Sequence, residues 1–245
     1  MNQASSRTKR SLYHLVAIGL LNIFLFLSPA AQAATVDLYD YAINDNGAIQ
    51  AGAAPYDIPT GLDASGLGSL TYTITGAGNH SFIGFFDFEI DEATNTFYNE
   101  YGATGGVLAA GQSWEIDESG WSFGNLYSNV LAGSLDNTNS VPNGLNDDVS
   151  FALGWDFTLA AGDIATITLN LSDVLDPNAG FYLQHSDAQT GANFDELASI
   201  FMWSTLTIES TAVPEAGSLA LLGLGLGLVA VTRRRRHGVC HRKAI

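Results

Sequence analysis

The sequence predicts an all-β fold for the middle of the chain, a single antiparallel β-sandwich or jelly-roll-like domain over residues 34–210. Apolar residues alternate with threonines over residues 70–75, which is the period of a half-buried strand. Short β-branched and aromatic runs recur along the region, and Gly, Asn and Asp clusters separate them. Helical periodicity is hard to find in these residues.

Seven runs are predicted to be strands: residues 36–43, 70–75, 81–90, 149–159, 164–171, 181–185 and 200–208. The fourth and fifth of these runs are joined by Ala161, Gly162 and Asp163, which predicts a hairpin-like connection. Residues 44–68 are rich in Gly, Ala and Pro, and residues 136–148 are rich in Asn and Asp. Both segments are predicted to be long loops.

The first 33 residues have the pattern of a signal peptide. A basic start is followed by an apolar run at residues 12–27 and then by Ala31 and Ala33 in an A-x-A arrangement. This order predicts export and cleavage by signal peptidase after Ala33.

Residues 211–245 combine three features that predict a sorting tail. A short motif comes first, an apolar run at residues 216–232 follows, and a basic cluster ends the run. The run would measure about 26 Å as a helix, and four arginines favour a cytoplasmic C-terminus before processing. The motif is Val213, Pro214 and Glu215, and the cluster is Arg233, Arg234, Arg235 and Arg236.

This tail resembles the PEP-CTERM sorting signal of Gram-negative bacteria that make exopolysaccharide. Tails of this kind are also called ice-binding protein C-terminal domains, a name that describes some of the proteins that carry them. The resemblance implies that an exosortase-type membrane protease or transpeptidase recognises Pro214 and Glu215 and releases or transfers the exported part. Ala216 stands where the usual pattern has a second proline.

Charge is strongly segregated along the chain. All nine Lys and Arg lie in the two ends, whereas 24 of the 25 acidic residues lie between Asp37 and Glu209. The exported region, with 24 acidic residues and no Lys or Arg, therefore has a formal charge of −24. Nucleic acid is excluded as a partner, because phosphate binding needs cationic side chains.

Bound calcium is predicted, because it would neutralise carboxylates that have no cationic side chain nearby. Oxygen-rich segments offer ligands, although none has the spacing of an EF-hand. A uniformly acidic surface without metal is the alternative. The candidate calcium ligands are Glu89, Asp91, Asp136, Asp147 and Asp148.

Four tryptophans bear on carbohydrate binding. Trp114 and Trp121 flank an acidic turn and are predicted to stack on sugar rings, whereas Trp155 and Trp203 lie in strand patterns and are predicted to be core residues. Glu-Ile-Asp-Glu occurs at residues 89–92 and 115–118, and such carboxylates suit a glycoside hydrolase. In so acidic a chain close pairs arise by chance, so no catalytic residues are assigned.

The sequence thus predicts an exported, non-catalytic protein of the cell envelope or exopolysaccharide matrix. After processing it is expected at the outer surface or in the extracellular matrix, with exopolysaccharide as a partner. The alternatives are a calcium-assisted carbohydrate-binding module and a polysaccharide hydrolase. Ice binding is not predicted, because Thr71, Thr73 and Thr75 form one strand with no sequence repeat behind it.

Overall fold

Ten strands make up most of the structure, a computed structural model that describes residues 35–91, 96–120, 123–188, 198–210, 221–226 and 228–229. A short α-helix, α1 (Leu126–Ala132), and a single 3-10 turn (Phe97–Asn99) accompany them. The strands are β1 (Val36–Asp45), β2 (Ala48–Ala53), β3 (Gly68–Thr75), β4 (Gly78–Ile90), β5 (Glu100–Gly105), β6 (Gln112–Asp117), β7 (Ser150–Leu159), β8 (Ile164–Ser172), β9 (Tyr182–Asp187) and β10 (Ser199–Glu209).

The strands form two five-stranded sheets. The first sheet has the order β2-β1-β4-β7-β6 and the second has the order β3-β8-β10-β9-β5. Every neighbouring pair is antiparallel. The predicted all-β, antiparallel class is therefore confirmed.

One hydrophobic core lies between the two sheets. Phe86 and Phe151 from the first sheet belong to the same buried cluster as Ile167, Leu169 and Met202 from the second. Two sheets that share one core form a β-sandwich. The sandwich has ten strands among the described residues, whereas a jelly roll has eight.

The helix α1 covers the opposite face of the first sheet. Its Leu126 and Val130 are fully buried and pack in a second, smaller cluster with Ile83 and Phe85 of β4. The helix ends at Gly133, which adopts a left-handed φ of 74° and donates its backbone N–H to the last turn. Such a glycine is a common helix C-terminal signal.

The predicted hairpin at residues 161–163 is wrong. β7 pairs with β4 and β6 in the first sheet, whereas β8 pairs with β3 and β10 in the second. The turn residues reverse the chain as expected, but they cross from one sheet to the other. A turn signal indicates where the chain reverses and does not determine which strands pair.

The predicted loop at residues 44–68 contains β2. Asn46 and Gly47 have φ values of 52° and 86°, and they join β1 to β2 as a tight hairpin. An Asn-Gly pair is a strong hairpin signal because both positions need positive φ. The prediction failed because β2, rich in Ala and Gly, lacks the β-branched pattern of a strand.

No helix within the described residues is long and apolar enough to cross a membrane. Residues 221–226 and 228–229 are helical, and the rest of the predicted anchor at 216–232 lies outside the described part of the chain. The predicted signal peptide, with Ala31 and Ala33, also lies outside it. The anchor and the cleavage site stay predictions.

Candidate functional site

A row of polar side chains crosses the outer face of the first sheet. Asp40, Asp87, Ser150 and Asp117 lie directly opposite one another on β1, β4, β7 and β6. The Ser150 hydroxyl donates to Asp87 Oδ1 at 2.8 Å, and the backbone N–H of Asn125, just before α1, donates to Asp117 Oδ2 at 2.9 Å. Neutral hydrogen-bond donors therefore stabilise these carboxylates, since the described part of the chain has no Lys or Arg to pair with them.

Burial raises the pKa values of carboxyl groups in this row and beside it. Asp87 is only 2% exposed, and this desolvation, with repulsion from Asp148 and Glu89, raises its pKa well above the usual range. Burial also raises the pKa of Asp40 and of Asp148. Several carboxyls of the domain therefore favour the protonated form more than free carboxyls do.

Glu100 and His185 form a buried pair at the end of the core. His185 Nε2 lies 2.6 Å from Glu100 Oε2, and both side chains are fully buried. Burial raises the pKa of Glu100 and lowers the pKa of His185, so the pair is neutral at pH 7. Glu100 Oε1 accepts from the backbone N–H of Ile90 at 3.2 Å, while His185 Nδ1 has no hydrogen-bond partner among the described residues.

The predicted calcium ligands come from several elements of the fold. Glu89 follows Asp87 by two residues on β4, and the backbone N–H of Asp148 donates to Asp147 Oδ1 at 3.0 Å. Asp136 lies elsewhere, exposed. In the parts of the chain that the structure describes, no group of three or more His, Cys, Asp or Glu side chains is arranged to hold a metal ion.

Asp91, another candidate calcium ligand, lies just beyond the end of a strand. β4 ends at Ile90, and Asp91 follows with a φ of 56°. Its Oδ1 accepts from the backbone N–H of Thr35 at 2.6 Å and from the Thr35 hydroxyl at 3.0 Å. One carboxylate oxygen of Asp91 is therefore already engaged by Thr35.

Trp114 is not an exposed sugar platform. It packs half-buried against the core, with its ring 5.9 Å from that of Phe181, because its position on β6 faces inward. Trp121 lies outside the described residues. Trp155 is buried as predicted and donates its indole N–H to Ser204 Oγ at 2.9 Å. Trp203 is half-buried rather than buried, because its position on β10 faces outward, opposite in parity to Met202 and Ser204.

An open cleft of about 470 Å³ lies beside Trp203 at one end of the second sheet. In its wall the Ser69 hydroxyl donates to Asn170 Oδ1 at 2.7 Å. Asp63 accepts from the backbone N–H and hydroxyl of Ser65 and from the backbone N–H of Leu67, and these bonds lower its pKa. The polar and aromatic lining includes Asp63, Ser69, Asn170, Ser172, Asp173 and Trp203.

The sequence prediction missed how threonines gather on the second sheet. Thr71 and Thr73 of β3 lie opposite Thr168 and Thr166 of β8, which lie opposite Thr205 and Thr207 of β10. Each strand shows the alternation in sequence, at 71/73, 166/168 and 205/207. That the three pairs are neighbours follows only from the strand order.

The structure therefore defines an acidic, two-sheet β-sandwich whose second sheet carries rows of threonines and an open cleft. Residues 212–236 match the family model of the PEP-CTERM protein-sorting motif, so the chain carries this sorting signal. The match spans Val213, Pro214 and Glu215 together with Arg233 to Arg236, all outside the described residues. PEP-CTERM signals are recognised by exosortases, which makes the chain an exported, membrane-processed protein. Comparisons with curated proteins and with solved structures gave no match.

Proposed function

We propose that the protein is a non-catalytic component of the cell envelope or exopolysaccharide matrix, delivered by its sorting tail. The observation that carries the proposal is the PEP-CTERM match at residues 212–236. The motif begins two residues after the end of the described sandwich at residue 210. Cleavage near Pro214 and Glu215 would release the whole sandwich with its ten strands intact.

The chemistry of the cleft supports a non-catalytic role. A retaining or inverting glycosidase needs a carboxylic acid with a raised pKa beside the substrate. The described carboxyls with raised pKa values are those of Asp40, Asp87, Glu100, Glu115, Glu118 and Asp148, and none of them lines the cleft. Asp63, which does line it, has a lowered pKa and is a poor general acid.

The sorting proposal makes the first testable prediction. In a cell that makes an exosortase, the chain should lose its tail and leave the membrane fraction, whereas P214A/E215A should accumulate there at full tail length. The double substitution removes the residues that the enzyme is expected to recognise. Antibody against the sandwich, with fractionation and intact mass, measures the difference.

The matched control is P177A/E209A, which removes the same residue types from exposed positions of the sandwich, outside the motif. It should be processed like the unmodified chain. Normal processing of P214A/E215A would contradict the sorting proposal. Release of reducing ends from a polysaccharide panel by the purified chain would contradict the non-catalytic role and favour the hydrolase.

Calcium binding stays a prediction and has its own test. A structural calcium ion should raise the melting temperature of the chain by several degrees relative to chelator, because it would neutralise crowded carboxylates. D148N should raise the melting temperature in chelator, since it removes a desolvated carboxylate that Asp147 repels, and should reduce the calcium increment. D176N, at an exposed turn, is the control. Identical melting in calcium and chelator would refute the site.

A further inference from the structure

The outer face of the second sheet is neutral on a domain that is otherwise strongly acidic. Across β3, β8, β10, β9 and β5, all of which the structure describes, the outward positions carry hydroxyl, amide, aromatic or small side chains, with the aliphatic Ile164 at the start of β8 as an exception. The one charged outward residue is Glu209, at the last position of β10. The outer face of the first sheet, by contrast, holds Asp40, Asp87 and Asp117.

Six threonines on this face form a regular grid. Strand neighbours lie about 4.8 Å apart and alternate residues of one strand lie about 6.8 Å apart. The side chains on β3 and β10 are exposed and those on the central β8 are half-buried. The rows are Thr71, Thr168 and Thr205, and then Thr73, Thr166 and Thr207.

The next row adds aromatic rings and an amide. Ser69, Asn170, Trp203 and Tyr182 lie opposite one another on β3, β8, β10 and β9. The ring of Tyr182 meets that of Phe201 edge-on at 5.9 Å. Since Asn170 uses its Oδ1 to accept from Ser69, its two amide hydrogens are available to a ligand at the cleft.

This set of groups matches a sugar chain. An aromatic face is negative and attracts the partly positive C–H edges of a sugar ring, while hydroxyl and amide groups can both donate to and accept from sugar hydroxyls. The surrounding charge of −24 repels an anionic polymer. The chemistry therefore selects a neutral polysaccharide.

We propose that the outer face of the second sheet binds a neutral polysaccharide chain, with one sugar ring on Trp203 in the cleft and the following sugars along the threonine rows. The proposal rests on the function proposed above, a place in a polysaccharide matrix, and names the ligand class. A threonine grid is also a candidate surface for ice. The twist of about 20–25° between adjacent strands works against a flat crystal surface, and the aromatic row favours sugar.

The test is affinity electrophoresis of the full chain, in mild detergent, through gels that contain hydroxyethylcellulose, dextran or alginate. The chain should be retarded by at least one of the two neutral polymers without calcium, and W203A should weaken the retardation about tenfold. T168V keeps the β-branched shape and removes one hydroxyl, so it should weaken binding several-fold at an unchanged melting temperature. Y56A is the matched control, because Tyr56 is 94% exposed and lies after β2 of the other sheet.

Any one of four results would overturn the proposal. The first is no retardation by either neutral polymer, and the second is retardation by alginate alone. The third is equal weakening by W203A and Y56A, and the fourth is thermal hysteresis of ice growth without glycan binding. T168V keeps the test decisive if W203A fails to fold. Failure of sorting is separable, because P214A/E215A would be mislocalised yet should bind the polymer normally.

Discussion

The protein should become more stable as the pH falls from about 9 to about 6.5. Burial raises the pKa of Glu100 to about 10, so the folded state keeps this proton while the unfolded chain loses it above its usual pKa of 4.5. The stability that this group contributes is complete below pH 4.5 and is lost as the pH rises toward 10. The loss is about 1.4 kcal/mol per pH unit. Asp87, whose pKa is raised in the same direction, adds to it.

His185 limits the effect at lower pH. Burial lowers its pKa to about 3 from a usual value of 6.5, so its contribution is present above pH 6.5 and is lost as the pH falls below that value. Between pH 4.5 and pH 6.5 the His185 and Glu100 contributions oppose one another. Above pH 6.5 the carboxyls act alone, and this is the window in which to measure.

E100Q isolates the Glu100 contribution. Glutamine keeps a neutral hydrogen-bonding group beside His185 and has no proton to lose, so the slope of unfolding free energy against pH should fall by about 1.4 kcal/mol per unit. At pH 9 E100Q should therefore be more stable than the unmodified chain. Urea unfolding at several pH values gives the slopes, with E209Q as an exposed control. Parallel curves for E100Q and the unmodified chain would refute the buried, protonated state of Glu100.

The second large effect concerns a buried contact that links the two sheets. Ser204 of β10 accepts from the indole N–H of Trp155 at 2.9 Å and from the side-chain amide of Gln112 at 3.3 Å. All three side chains are buried. S204A removes one acceptor and almost no volume, so it should leave two buried donors unsatisfied at a cost of about 3 kcal/mol.

Denaturant unfolding measures this cost. S204T, which keeps the hydroxyl, should recover part of the loss, and S140A at an exposed position should change the free energy of unfolding little. A loss below about 0.5 kcal/mol in S204A would show that water or rearrangement satisfies Trp155 and Gln112. A typical domain has about 5–15 kcal/mol of stability, so the predicted loss is a substantial fraction.

Individual strands were predictable where their own side chains carry the pattern. β3 alternates threonines with Leu70, Tyr72 and Ile74, and the burial alternates in the same way. The strands β2, β5 and β6 and the helix α1 were missed, because β2 is rich in Ala and Gly, β5 and β6 have six residues each, and α1 has only seven. A short element of this kind is stabilised by what it packs against, and its own sequence pattern is weak.

The candidate sites divide in the same way. The sorting motif is a continuous segment read by another protein, and its recognition from Val213, Pro214 and Glu215 agrees with the family match. The exposure predicted for Trp114 is wrong, because its side chain faces the core beside Phe181. An outward or inward direction depends on strand register, and a shift of one residue reverses it.

The sequence by itself determined the sorting signal of this protein and the all-β class of its exported part. It also determined that the carboxylates of this part have no Lys or Arg as partners within it. These properties follow from local pattern and composition. Only the tertiary structure decided which carboxyls are buried and which threonines become neighbours. Thr71, Thr168 and Thr205 are far apart along the chain and meet because β3, β8 and β10 pair in one sheet. Strand pairing depends on burying both sheets around one core, which no single segment encodes.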